Sequence, residues 1–266
     1  MAKIGFIGMG NMGYALAKGL LTVYDEDDLI FSCHTEEKKQ KITEELGIMA
    51  AASNGELVAA ADVVVLAIKP QVYDEVFAEI KSFIREGEII ISLAPGKSIS
   101  YITEALGGNV RVVRAMPNTP ALIGYGMTGI SYDESTFDVD EVKIIDNIFG
   151  SVGSYKKVPE EQMSAVVCVS GSSPAYVYMF INELAKAASS KGLPEGIALE
   201  MATGAVIGAA MMVLKTGEDP EILKQKVCSK GGTTIAGIGQ LEVKGFAAAI
   251  AAATDACYNR SEELGK

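Results

Sequence analysis

Histidine is nearly absent from this chain of 266 residues: His34 stands alone. The four cysteines (33, 168, 228 and 257) form no CxxC pair and follow no ligand spacing. Together these shortages exclude a His/Cys zinc site, and no metal is expected. Basic charge is short as well. Lys and Arg total 23 against 34 acidic residues, a formal net charge of −11. Nucleic acids and anionic membranes both need a basic footprint, so neither is expected as a partner. No uncharged apolar run reaches the ~20 residues of a membrane span; the longest, residues 201–214, falls short. The chain begins Met-Ala-Lys and runs directly into a strand pattern without a leader, which places the expected protein in the cytoplasm.

What is abundant is apolar side chain, 49% against 21% charged, a globular composition in a chain long enough for two domains. Up to residue 158, short β-type runs alternate with helical segments. Strands are expected at 3–7, 29–33, 48–50, 62–68, 88–93, 110–115, 128–132 and 153–158. Val63-Val64-Val65-Leu66 is apolar throughout, as in a parallel sheet covered on both faces. Ser53-x-x-Glu56 reads as a capping box and Gly47 as a helix C-cap. The fold class is therefore α/β: a doubly wound Rossmann sheet over residues 1–158, followed by an all-α domain over 159–266. Helices are expected there at 160–192, 194–216, 220–229, 233–244 and 246–264. They are apolar nearly all round, and Gly204, Ala205, Gly208 and Ala209 repeat at a four-residue spacing that lets backbones approach. Such helices must be buried, which predicts a homodimer formed through this domain.

Gly8-Met9-Gly10-Asn11-Met12-Gly13 follows the first strand and opens the first helix. Gly8 permits the tight turn, Gly10 lets the backbone approach a pyrophosphate, and Gly13 permits close helix–strand packing; the unit is a dinucleotide loop. The second strand ends Ser32-Cys33-His34-Thr35, with Lys38 and Lys39 behind and no acid for the ribose hydroxyls. That favours a 2′-phosphate, hence NADPH over NADH, with NAD still admissible. His34 sits at this adenosine end and so cannot protonate a substrate. Ala67-Ile68-Lys69-Pro70 and Ser92-Leu93-Ala94-Pro95-Gly96 close two further strands at their carboxyl ends, where ligands bind. Lys69, the only charge in its neighbourhood, faces either the nicotinamide ribose or the substrate and is a candidate catalytic residue.

Ser229-Lys230-Gly231-Gly232-Thr233-Thr234 is a second glycine-rich junction, again opening a helix. Unhindered amides and the positive helix end favour a carboxylate or phosphate. Because the dinucleotide phosphates already have a loop, this junction suits an anionic substrate.

Phe6-Ile-Gly-Met-Gly-Asn-Met12, Ala67-Ile-Lys-Pro70, Arg114-Ala-Met-Pro-Asn-Thr-Pro120, Ser170-Gly-Ser-Ser-Pro-Ala-Tyr176 and Ser229-Lys-Gly-Gly-Thr-Thr-Ile-Ala-Gly237 together resemble the pyrroline-5-carboxylate reductases, in the family's order and over nearly the whole chain. The resemblance implies NAD(P)H-dependent reduction of the C=N bond of 1-pyrroline-5-carboxylate to L-proline, the last step of proline synthesis. It also implies an interlocked homodimer, built in many members into decamers. It assigns Gly8, Met9, Gly10, Asn11 and Met12 to the pyrophosphate, His34 and Asn54 to the adenosine side, and Ala67, Ile68, Lys69, Pro70 and Ala94 to the nicotinamide side. Ser229, Gly231, Gly232, Thr233 and Thr234 would hold the substrate, with Glu160 as a substrate-side acid and Thr234 as the catalytic hydrogen-bond donor to the imine nitrogen. Lys230 stands where the family usually has proline, Ser173 where it has glycine, and His34 where bacterial members often have arginine. A β-hydroxyacid dehydrogenase, the nearest rival, needs a lysine soon after a motif like 170–174; none occurs here before Lys186.

Overall fold

The computed structural model describes residues 2–265. Its strands are β1 Ile4–Ile7, β2 Leu29–Ser32, β3 Met49–Ala50, β4 Val63–Leu66, β5 Glu88–Ser92, β6 Val110–Met116, β7 Gly126–Ser131 and β8 Gly153–Lys157. They form one sheet in the order 3-2-1-4-5-6-7-8. β1 to β6 are mutually parallel, in the doubly wound arrangement that the alternating pattern predicts. β7 then runs antiparallel to β6. The segment joining them, with a 3₁₀ turn at Thr119–Ile123 and left-handed Gly124, is shorter than the dozen or more residues a parallel crossover needs.

Each strand of the parallel part serves two cores. Val63 and Val65 of β4 join Phe6, Phe31, Leu16 and Phe149 on one face, while Val64 and Leu66 join Leu57, Tyr73 and Ile90 on the other. That two-sided burial is why the strands read as continuous apolar runs. The helix after β3, Asn54–Ala60, starts as expected with Ser53 Oγ accepting from the Glu56 N–H. The return half of the box is displaced by one residue: Glu56 Oε2 accepts from the Ala52 N–H at 2.9 Å.

Two compact units divide at Ser172/Ser173, and the chain rejoins the first unit from Cys257 onward. The strands do end near residue 158, but the next segment stays on the sheet. A Cβ added to Gly129 would lie 2.5 Å from Val166 Cγ1, and Asn118 holds the Ser170 carbonyl at 3.0 Å. The C-terminal tail returns by hydrogen bonds between Ser164 and both Ser261 and Glu262, and by Leu264 and Gly265 packed against Gly96.

The expected uninterrupted helix over 160–192 contains a π segment, Val167–Ser172, before Ser173–Ser189. Helices Glu195–Thr216, Pro220–Val227 and Thr233–Val243 follow within the second unit. Its buried core is small: Ala185, Ala198 and Ala202. Met201, Ile207 and Leu214 are exposed. Whole helices Glu195–Thr216 and Glu160–Ser189 are long and apolar enough to cross a membrane by length and composition.

Candidate active site

The glycine loop after β1 is built as its sequence predicts. Gly8 takes φ +93°, and a Cβ there would lie 2.7 Å from the Ala67 carbonyl oxygen. At Gly13 a Cβ would lie 2.3 Å from the Gly8 oxygen. At Gly10 a Cβ would meet nothing within 4 Å. The space over Gly10 is therefore the place where a phosphate can reach the backbone. Helix Asn11–Leu20 begins there with no side-chain cap and no acid in its first turn. Its open N–H groups and positive dipole end face that space.

A cleft of about 880 Å³ runs along the carboxyl ends of β1, β2 and β4. It gathers Gly8, Met9, Gly10, His34, Asn54, Ala67, Ile68 and Lys69 of the expected cofactor set. Asn11 lines an adjoining depression that shares Met9 and Gly10. The remaining expected residues stand differently. Met12 packs against the first core, Ala94 is buried in the second, and Pro70 begins the 3₁₀ turn Pro70–Val72. Lys69 is exposed on the cleft wall and enters none of the ion pairs among the described residues. Lys39 is committed to Glu36 at 2.7 Å, which raises its pKa and leaves Lys38 as the freer cation at the adenosine end. The fit of these residues to a dinucleotide is good: an open phosphate cradle, an uncapped helix, and a cleft of about 880 Å³ lined by Gly8 and Gly10.

Two residues that sequence reasoning passed over, Tyr73 and Glu79, tie the strand ends and Asn54 beside the cleft, and a third contact engages an expected site residue. Tyr73, fully buried, sets its hydroxyl 3.0 Å from Ser92 Oγ and 3.3 Å from the Leu66 carbonyl, joining the ends of β4 and β5. Burial pushes its phenol above the ordinary tyrosine range. Glu79 accepts from Asn54 Nδ2 at 2.5 Å, and Asn54 Oδ1 accepts from Ser32 Oγ at 2.6 Å. Arg114, buried at the end of β6, pairs with Glu160 at 3.3 Å. Neither a pattern of spacing nor a local motif marks these contacts, which join residues far apart in the chain.

Glu160 itself is occupied. Its Oε1 accepts from the Ile99 N–H at 2.7 Å as well as from Arg114. The carboxylate thus caps the Ile99–Ala105 helix and neutralises a buried guanidinium.

The second junction lies in the second unit. Gly231 takes φ +74°, a left-handed conformation that glycine adopts at least cost. Gly232 donates its N–H to the Ser229 carbonyl at 3.0 Å, and a Cβ on it would lie 2.4 Å from Ser229 Oγ. The loop is therefore closed down upon Ser229. Helix Thr233–Val243 starts at Gly232 with no side-chain cap and no acid in its first turn. Ser229, Gly231, Gly232, Thr233 and Thr234 are thus brought together around an uncapped helix end, with Thr234 half-buried and Lys230 exposed.

Comparison with known proteins gives a consistent result. The family model described as pyrroline-5-carboxylate reductase dimerisation matches residues 160–264. A second, described as NADP oxidoreductase coenzyme F420-dependent, matches residues 3–96. The pyrroline-5-carboxylate reductase of Escherichia coli K12 is 41% identical over 99% of this chain and 98% of its own length. A structure of the Coxiella burnetii enzyme superposes with a TM-score of 0.90 at 35% identity, covering 100% of this chain and 99% of that one. The Plasmodium falciparum pyrroline carboxylate reductase, crystallised with NADP bound, gives a TM-score of 0.90 at 29% identity, with coverages of 100% and 98%.

Proposed function

The chain belongs to the pyrroline-5-carboxylate reductase family, and we infer from that membership that it is an NAD(P)-dependent oxidoreductase reducing the C=N bond of 1-pyrroline-5-carboxylate to L-proline. The observation that carries the reading is a pair of uncapped, glycine-opened helix starts on one chain. One suits the phosphates of a dinucleotide and the other a small carboxylate. NADPH is the preferred cofactor in this reading, supported by Lys38 and by a second strand that ends without an acid; NADH is accepted.

Gly8, Gly10 and Asn11 receive the pyrophosphate through their backbone, and Met9 and Met12 shape the loop. His34 and Asn54 take the adenosine side. Ala67, Ile68, Lys69 and Pro70 take the nicotinamide side, with the Ala94 backbone. The bound nicotinamide supplies the hydride. The Gly231 amide, Ser229 and the start of the Thr233–Val243 helix hold the substrate carboxylate while Gly232, its N–H spent on the Ser229 carbonyl, fixes the loop; positioning of this kind can contribute several kcal/mol, roughly 7–11 in the best intramolecular cases. Thr234 donates a hydrogen bond to the ring nitrogen as electron density builds there. A cyclic imine can arrive already protonated, so the lack of a histidine acid is no obstacle. Glu160 acts as a positioning residue, holding Arg114 and the Ile99–Ala105 helix in place.

The exposed apolar faces of the second unit's helices are covered by a second copy of the chain, in a homodimer that can build a decamer; the family match over 160–264 supports this use of them. The deciding assay compares nicotinamide oxidation with pyrroline-5-carboxylate and the corresponding reaction with a 3-hydroxy acid. Turnover of the imine alone supports the assignment; turnover of the hydroxy acid alone, or of neither, overturns it.

A further inference from the structure

In a Rossmann domain the adenosine ribose lies over the end of the second strand. An acid there binds the 2′-hydroxyl and rejects a 2′-phosphate. β2 of this chain ends on Ser32, and by sequence the acid is missing. In the folded chain an acid arrives from a different element. Asn54 accepts from Ser32 Oγ at 2.6 Å and donates to Glu79 Oε2 at 2.5 Å. Glu79 stands on the Tyr73–Ile80 helix beyond β4 and lines the same cleft as His34, Lys38 and Lys39. None of the ion pairs among the described residues includes Glu79. Lys39, the cation that would offset it, is held by Glu36 at 2.7 Å.

We infer that Glu79 is a cofactor-specificity residue: carried on Asn54 one amide group away from the end of β2, its carboxylate opposes the 2′-phosphate of NADPH and tolerates the ribose diol of NADH. The inference rests on the dinucleotide reading of the cleft. It makes the NADPH preference narrower than Lys38 and an acid-free strand end would set by themselves. The alternative role for Glu79 is to orient Asn54, and the two roles separate chemically. Glutamine keeps an oxygen for Asn54 Nδ2 and removes only the charge.

The test is a direct titration of NADPH and of NADH, without substrate, into the wild-type protein, Glu79→Gln and Glu79→Ala. Glu79 is exposed, so both variants are expected to melt near the wild-type temperature. Removing one negative charge near a phosphate across partly solvated space should tighten NADPH about fivefold, while NADH shifts less than about twofold. The wild-type-to-variant difference should shrink as salt is raised. Equal shifts for both cofactors, or weaker NADPH binding in Glu79→Gln, overturn the specificity role and leave the family assignment intact. A wild-type protein that binds neither dinucleotide removes the cleft reading and this inference together.

Discussion

Asn118 donates its side-chain amide to the Ser170 carbonyl at 3.0 Å and accepts the Met127 N–H at 2.9 Å through Oδ1. In an α-helix the Ser170 carbonyl would be bound by the N–H of residue 174. Pro174 has no such group, and its ring crowds that carbonyl. The chain answers with a π segment at Val167–Ser172 and a side chain from another element. Asn118 thereby joins the Arg114–Pro120 motif to the Ser170–Tyr176 motif.

Replacing Asn118 by alanine leaves two part-buried backbone groups in search of partners, a loss of about 1–2 kcal/mol. Urea denaturation of Asn118→Ala should show a lower midpoint at unchanged slope. A loss below about 0.5 kcal/mol would mean that water or relaxation satisfies both groups, and the linking role would fail.

Gly10 and Gly13 are two glycines of one motif with opposite reasons to be glycine. A Cβ on Gly13 meets the Gly8 oxygen at 2.3 Å, whereas one on Gly10 meets nothing. Gly13→Ala should therefore destabilise the fold by about 1–3 kcal/mol through overpacking. Gly10→Ala should melt like the wild type and bind NADPH about tenfold more weakly, a change of about 1.4 kcal/mol. Melting curves and cofactor titrations of the two variants should be mirror images. Matching behaviour in both assays would contradict the division of roles.

Arg111 and Glu141 make a two-pronged pair: Nη1 to Oε2 at 2.6 Å and Nη2 to Oε1 at 2.5 Å. Hydrogen bonding from Arg111, helped by the Asp138 N–H, holds the Glu141 carboxyl below its ordinary 4.5. A carboxyl depressed in the folded state stabilises the fold above its unfolded value and loses that contribution as pH falls through the folded value. Glu141→Gln should therefore cost about 1–2 kcal/mol at pH 7, allowing for partial exposure. The gap from wild type should close progressively below about pH 4.5. Denaturant curves at neutral and acid pH decide it; a gap that widens in acid would have the wrong sign.

The parts of the fold legible in the sequence are those encoded locally. Val63 to Leu66 announce a two-sided strand, and Gly8, Gly10 and Gly13 announce a phosphate loop, because each signal lies within a few residues of what it specifies. The same holds for Gly231 and Gly232. The antiparallel β7 was not legible, since nothing in its composition differs from its parallel neighbours. Glu79 was missed for a related reason: the expected acid belongs at the end of β2, and this one is brought there by a helix from beyond β4. Glu160 was legible as an acid at the site, but its engagement with Ile99 and Arg114 was not, because that depends on the fold closing. Long-range polar contacts carry no periodicity, and periodicity is what a single sequence offers.

The Gly231–Thr234 junction gives the sharpest kinetic expectation. Thr234 follows an uncapped helix start, so its hydroxyl is not consumed as an N-cap; the cap position belongs to Gly232. Thr234→Ala should keep helix Thr233–Val243 intact and lower turnover by about tenfold or more, as loss of a proton or hydrogen-bond donor does. The dissociation constant for NADPH should not move. Gly231→Ala perturbs the same site by a different route. Its backbone sits at φ +74°, where an alanine is strained by about 1–2 kcal/mol. The Gly231 amide then turns away from the carboxylate, so substrate KM should rise more than turnover falls. Thr234→Ser should restore most of the activity lost in Thr234→Ala, because the donor returns without the methyl. Full activity in Thr234→Ala would remove the hydroxyl from the mechanism and leave protonation to the incoming imine alone.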